Sequence, residues 1–472
     1  MKKNPELEGL SAEERQYRVM TQSPVRPLIT KLAIPTIITM MVTSLYNMAD
    51  TYFVSQLGKS ASGAVGVVFS LMAIIQAVGF TLGMGSGSVV SRALGVKDYE
   101  KANRFSSVAL FTSVAFGLLL TVFGYIFINP LMSVLGATPT VLPYARDYAS
   151  YILLGAPIMA SSFVLNNLLR AEGKAQLSMF GIATGGVLNI ALDPLFIFVF
   201  DLGVAGAAIA TLISQTVSCV ILLIMLLTRS IIKVSLRQAV SGISVLWEIV
   251  RTGAPSFCRQ GLASISTILL NNQAGLYGGD EALSAMSIVL KIYMLIFCVG
   301  LGIGQGYQPV AGYNYSAKLW GRVRKAFTFT FFVGTACLTV LGIFAIIFAE
   351  QIMPLFIDDP KVIEIGARAL RFQAFALPFL TTNVICNMTF QAVGSKLKAV
   401  LLSCCRQGFF FIPCVLLLPP VLELLGVELV QAVSDFCTFL VSIPFALGFL
   451  RNVKKLEAEA NYNPNSAEII TE

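Results

Sequence analysis

Four residues of this chain have the types and spacing to hold a cation. Asp50 and Asp193 are two of three acids that fall well inside long apolar runs; Asp435 is the third. Asn189 stands four residues before Asp193, which puts both on one helical face. Thr211 follows in the next apolar run. A charge in hydrocarbon is costly and points to function by default. Two carboxylates, an amide oxygen and a hydroxyl make an all-oxygen donor set, which suits a hard cation such as Na⁺. Two carboxyls held together away from water can instead share a proton. The residues leave both readings open, and a third is purely structural: each Asp hydrogen-bonds its neighbours and fixes packing. Two prolines accompany these acids. Pro194 takes the helical donor from the Ile190 carbonyl, and Pro35 does the same for Lys31. Freed carbonyls can ligate ions, and kinked helices can switch between bends. Pro35 and Pro194 are therefore hinge candidates, with an ordinary kink as the plainer alternative.

Positioning these groups requires helices that cross a bilayer. The chain has 472 residues, 56% hydrophobic and only 12% charged, with a mean hydropathy of +0.78. Soluble proteins carry about twice that charge fraction. Twelve apolar runs, at about 28–56, 62–90, 103–129, 148–170, 177–200, 203–228, 247–277, 282–310, 326–349, 366–393, 397–419 and 425–450, can each cross a core of roughly 30 Å as a helix. With the N-terminus inside, 25 of the 33 Lys and Arg residues fall on inner segments, five on outer ones, and Arg259, Lys291 and Arg406 within spans. That bias predicts a multi-pass plasma (inner) membrane protein with both termini cytoplasmic. It also explains the net charge of +8 as topology rather than nucleic-acid binding. Asp50, Asp193 and Thr211 then lie roughly 9–12 Å below the outer surface, at one level.

The chain repeats itself. "GAPIMASSFVLNNLLRAEG" (155–173) resembles "ALPFLTTNVICNMTFQAVG" (376–394) at an offset of 221; Pro157 matches Pro378 and Asn166 matches Asn387. Pro35 matches Pro255 and Gly58 matches Gly278 at 220, and Gly83, Gly85 and Gly87 match Gly302, Gly304 and Gly306 at 219. An even number of spans per repeat gives both halves one orientation. The expected fold is all-α integral membrane: twelve transmembrane helices in two parallel six-helix repeats. Its parts are an N-terminal tail (1–27), an N-lobe (28–228), a linker (229–246), a C-lobe (247–450) and a C-terminal tail (451–472). The repeat is also an internal control. Asp50 maps to Leu270, Asn189 to Phe410, Asp193 to Cys414 and Thr211 to Ala432. All four polar groups are lost while shared prolines and glycines persist, so the acids read as function and the rest as fold.

The C-lobe carries a different set: Arg259, Lys291, Arg406 and Asp435. A structural Lys291–Asp435 pair is expected, with a substrate contact as the alternative; Arg259 and Arg406 lie deeper without an evident acid. Tyr46, Asn47, Asn166 and Asn167 complete a set of substrate-cavity candidates, weighed against plain bundle hydrogen bonding. Other chemistry lacks its motifs, including a third class, an intramembrane aspartyl enzyme, which rests only on two acids at similar depth. There is no histidine, no G-x-x-x-x-G-K-[ST] loop for ATP, no nucleophile–base pair and no G-x-G-D motif of an intramembrane aspartyl enzyme. The nine cysteines have no disulfide spacing, the G-x-G-x-G runs fit close helix packing, and no cleavable signal peptide is evident. The protein is expected to be a monomeric non-enzyme without cofactor apart from a coupling ion.

With these residues in hand, the chain resembles the multidrug and toxic compound extrusion (MATE) family over nearly all of 25–455. The marks are Pro35…Asp50, "GMGSGSVVSRALG" (83–95), "NNLLRAEG" (166–173), "NIALDPLFIF" (189–198), "GVAGAAIAT" (203–211) and "QGYQPVAGYNYSA" (305–317). The resemblance implies secondary active, alternating-access efflux of organic, often cationic, compounds by antiport with Na⁺ or H⁺. It also implies that Asp50, Asn189, Asp193 and Thr211 form the ion site, and that the first helix moves about Pro35. Some members place acids in the seventh and tenth spans; here stands Arg259 and no acid. The basic residues Arg259, Lys291 and Arg406 keep an alternative open, a flippase for lipid-linked oligosaccharide or a related anionic amphiphile.

Overall fold

The computed structural model of the chain describes residues 9–240 and 242–462. Lys2 and Lys3 of the expected N-terminal tail, 463–472 of the C-terminal tail and Ser241 of the linker lie outside the described residues. Every described element is helical. The first six spans are Val25–Ser55, Lys59–Gly95, Tyr99–Ile126, Leu142–Ala171, Ala175–Pro194 and Gly203–Arg229. The helix Ile243–Ser316 is 74 residues long, about 110 Å if straight, more than three hydrocarbon cores. It breaks at Gly279 (φ 62, ψ −156), a conformation open to glycine, and so supplies the seventh and eighth spans. Trp320–Ile347 is the ninth and Pro360–Ala392 the tenth. The eleventh runs from Lys396 to Leu417, and the twelfth lies within Pro419–Tyr462, which breaks at Glu423. The chain is an all-α, twelve-span membrane protein.

Its helices pack as two compact units, and their borders differ from the expected lobes. Ile34–Phe257 forms the first unit, with the segment ending at Tyr17; Arg18–Ala33 joins the residues from Cys258 onward in the second. The start of the first span thus belongs to the second unit, and the linker and the start of the seventh span belong to the first. Glycine contacts explain the exchange. A Cβ on Gly306 would lie 2.5 Å from the Ala33 Cα, one on Gly85 2.2 Å from the Ile249 oxygen, and one on Gly253 1.9 Å from the Thr81 oxygen. Backbones meet there at distances only glycine permits. The borders at Ala33–Ile34 and Phe257–Cys258 fall beside prolines, Pro35 and Pro255, where a missing N–H interrupts the helical ladder. The linker itself is tied down: the Lys233 N–H donates to Asn103 Oδ1 (2.7 Å) and the Ser235 N–H to Ser107 Oγ (2.9 Å).

Gly253→Ala is expected to cost about 1–3 kcal/mol through overpacking, read as a lower Tm in detergent. Gly275, with nothing within 4 Å of its Cβ position, is the matched control; Gly275→Ala should be neutral or stabilising.

The repeat is visible in the backbone. Left-handed residues recur 221 apart: Gly58 and Gly279, Lys97 and Lys318, Gly173 and Gly394. Gly279 therefore replaces Gly278 as the counterpart of Gly58. The glycine ladder is also corrected, from 219 to 221. Gly83 abuts Phe163 and Asn167, and Gly304 abuts Val384 and Met388, so Gly83 pairs with Gly304 and Gly85 with Gly306. Glycines spaced by two matched themselves equally well one step out of register. Beyond Pro194 the fifth span continues as a π-helical turn, Leu195–Val199, a form that accommodates the missing donor. A second π turn, Cys405–Phe410, precedes Pro413 in the eleventh span. The carbonyls it offers are met by serines: Ser434 Oγ donates to the Arg406 oxygen (2.6 Å) and Ser266 Oγ to the Gln407 oxygen (2.8 Å).

Candidate functional site

Asp50, Asn189, Asp193 and Thr211 come together in the first unit, and all four are buried. They reach one another from three helices. The first span brings Asp50; Gly186 on the fifth lets it approach, since a Cβ there would sit 2.4 Å from Val42 Cγ1. The fifth brings Asn189 and Asp193 one turn apart, and the sixth brings Thr211. Asn189 Nδ2 donates to Asp193 Oδ1 (3.2 Å) and to Thr211 Oγ1 (3.3 Å). Asp50 and Asp193 lie within electrostatic reach of each other.

A fifth member, Tyr148 of the fourth span, was not singled out from the sequence. Its hydroxyl donates to Asp50 Oδ2 (3.0 Å) and also faces Asp193 and Thr211. The apolar run begins at 148, so Tyr148 reads as a rim residue; the helix begins at Leu142, which carries the ring more than a turn inward. Gln215, one turn beyond Thr211, was also missed. It donates to the Tyr46 hydroxyl (3.2 Å), placing Tyr46 on the flank of Asp50.

The hydrogen bonds leave a particular remainder. Asp50 Oδ1, Asp193 Oδ2 and Asn189 Oδ1 are buried side-chain atoms without a hydrogen-bond donor. All three are acceptors. Buried polar atoms are normally satisfied, and three lone acceptors, two of them carboxylate oxygens and the third an amide oxygen, match a cation rather than an anion. An oxygen-only set fits Na⁺ or a proton.

Among the described residues, the second unit has no such cluster at the equivalent level. Leu270 is buried in an apolar core with Ala369, Phe411 and Val415, against which Cys414 packs. Ala369 is the residue 221 beyond Tyr148, which supports Leu270 as the partner of Asp50; Asn271 beside it is half-buried. The second unit's own polar cluster lies elsewhere. Arg406 Nε donates to Asp435 Oδ1 (2.7 Å), Tyr293 OH to Asp435 Oδ2 (2.9 Å) and Gln431 Nε2 to Asp435 Oδ1 (3.0 Å); Arg406 also donates to Tyr293 OH. The expected Lys291–Asp435 pair is therefore corrected. Lys291 is exposed, and Arg406, one π turn along the eleventh span, reaches the carboxylate instead.

The remaining cavity candidates separate. Asn166 accepts from Ser178 Oγ, and Asn167 donates to the Phe163 oxygen (2.7 Å) and accepts from Arg170. Both amides are engaged in helix packing. Asn47 is half-buried on the first span. Arg259 and Arg406 line a cavity with Asn383, Asn387 and Ser403, but its volume is about 20 Å³, room for a water and not for an organic molecule. Glu428 escaped notice because it lies at the edge of its apolar run. It is fully buried and held by Arg368 through two bonds of 2.6 and 2.8 Å.

The MatE family model matches residues 35–195 and again 255–416, more than half of the chain. This chain belongs to the MatE family. The two matched segments are the two repeats, and the MATE chain is a multi-pass membrane transporter. It is similar to the multidrug export protein MepA of Staphylococcus aureus (strain N315), 27% identical over 422 residues, covering 88% of this chain and 92% of that one. The MepA protein of Staphylococcus haemolyticus (strain JCSC1435) is 25% identical over 446 residues, with 93% and 97% covered. Among solved structures, the outward-facing conformation of a multidrug resistance MATE family transporter of the MOP superfamily superposes with a TM-score of 0.88. It is 27% identical and covers 93% of this chain and 98% of its own.

Proposed function

We propose that this MATE protein is a secondary active multidrug exporter. It expels organic, often cationic, compounds by antiport with Na⁺ or H⁺ through alternating access, with both termini in the cytoplasm. It works as a transporter rather than an enzyme, and without ATP. The observation that carries the reading is the one-sided acceptor cluster: Asp50, Asn189, Asp193 and Thr211 around Tyr148, with three buried acceptors lacking donors. Na⁺ would be held by those carboxylate and amide oxygens, and a proton by one of the two carboxyls. The first span carries both Asp50 and the proline break beside which the unit border falls. A change of charge at Asp50 can therefore act on Pro35 along one helix, which makes Pro35 the hinge; Pro194, one residue after Asp193, is the second.

The flippase alternative rested on Arg259, Lys291 and Arg406. Arg406 is committed to Asp435 and Tyr293, Lys291 is exposed, and the cavity that Arg406 shares with Arg259 is too small for an amphiphile, so the residues that raised this alternative do not support it. The test is export of a fluorescent organic cation from proteoliposomes with Na⁺ and pH gradients imposed separately. One gradient is expected to drive export and the other to leave it at the leak rate. Export driven by neither sinks the antiport reading.

A further inference from the structure

We propose that the second unit holds a structural binding site for an anionic phospholipid. A cavity of about 760 Å³ is lined by Arg26, Arg322, Arg324, Lys325, Phe329 and Phe332, together with Pro24, Val25, Pro27 and Thr328. That volume is in the range of specific ligand sites. Its walls are the start of the first span and the start of the ninth.

The cations divide into two kinds. Arg322 is spent on Asn314 Oδ1 (2.7 Å) and the Ser23 oxygen (2.7 Å), and Arg324 on Glu457 (2.9 Å). Those bonds fix the walls. Arg26 and Lys325 are exposed and make no ion pair among the described residues. Arg26 stands in the first turn of its helix, where the helix dipole disfavours a cation. Bound negative charge reverses that penalty. No acid lines the cavity.

The other half of the site is apolar. Phe329 and Phe332 lie four and seven residues past Lys325 on one helix, so the cavity runs about 10 Å from its basic mouth toward the hydrocarbon. Phe332 is 65% exposed, as a ring that packs against an acyl chain is. A soluble anion would use the mouth alone; a basic mouth above an aromatic wall fits a phosphodiester headgroup with its chains.

The test counts lipids on the full-length protein in detergent by native mass spectrometry, at rising phosphatidylglycerol, phosphatidylcholine or inorganic phosphate. Phosphatidylglycerol is expected to be retained, phosphatidylcholine to wash off, and millimolar phosphate to displace nothing. Each cation removed should weaken retention about fivefold, so Arg26→Gln/Lys325→Gln should lose about 25-fold. Arg26→Lys/Lys325→Arg should retain lipid, which separates charge from fold, and Lys396→Gln, outside the cavity, should change nothing. If the double Gln variant does not fold, Lys325→Gln alone carries the fivefold test. Equal retention of the two lipids, displacement by phosphate, or undiminished binding in the Gln variants overturns the proposal.

Discussion

Asp193→Asn is expected to reduce ion-driven export to the leak rate of empty vesicles while leaving the protein folded. The substitution keeps shape and volume. Asn189 Nδ2 now meets Asp193 Oδ1, and an amide oxygen can accept that bond as well. What changes is the second atom. Asp193 Oδ2 is a buried acceptor without a donor, and the substitution turns it into an NH₂ donor, or turns the acceptor away if the amide flips. Either way the cluster loses a charge and an acceptor. Asp50→Asn acts in the same way: the Tyr148 hydroxyl keeps an oxygen to donate to, and the free Oδ1 becomes a donor. Expression and Tm in detergent should match the wild type for both variants, because neither loses a partner used for packing. Full export by either one would mean that the acids serve packing only.

Asp435→Leu is expected to have the largest effect on stability. It leaves the Arg406 guanidinium, whose side chain is 8% exposed, without its carboxylate. Removing one partner of a buried pair costs about 3–5 kcal/mol, and the Tyr293 hydroxyl and Gln431 amide would lose an acceptor as well. Replacing both partners removes the stranded charge, so Arg406→Leu/Asp435→Leu should recover most of the loss, as buried pairs often exchange for apolar ones at little cost. Tm values of the two single variants and the double variant close the cycle. A double variant as unstable as the sum of the singles would show that Arg406 and Asp435 are not coupled.

The membrane class, the twelve crossings and the repeat were legible because they rest on long-range averages. Run length, basic bias and a 221-residue echo each draw on many residues. The convergence of Asp50, Asn189, Asp193 and Thr211 was legible for a different reason: depth along a helix is simple arithmetic once the span ends are known. Partners across helices were not. Lys291 and Asp435 share a depth, yet Arg406 takes the carboxylate, because rotation about the helix axis decides which way a side chain faces. Tyr148 and Glu428 were missed because hydropathy draws the edge of a span where polarity begins, and buried polar residues shift that edge. The unit borders were hidden for a third reason. A helix interrupted at Pro35 looks continuous in sequence, and only its glycine contacts show which unit holds each end.

Those borders constrain how the protein is made. Neither half of the gene encodes a closed unit, since Arg18–Ala33 is completed only by residues from Cys258 onward, and the first unit only when Phe257 exists. At ~5–20 residues per second, the 224 residues between Ala33 and Cys258 take about 11–45 s to synthesise. For that time the start of the first span must wait in the bilayer without its native neighbours. Its apolar sides Ile29, Leu32 and Ala33, buried in the finished fold, then face lipid or the insertion machinery. The interval makes biogenesis, and not only transport, depend on holding this one helix in reserve.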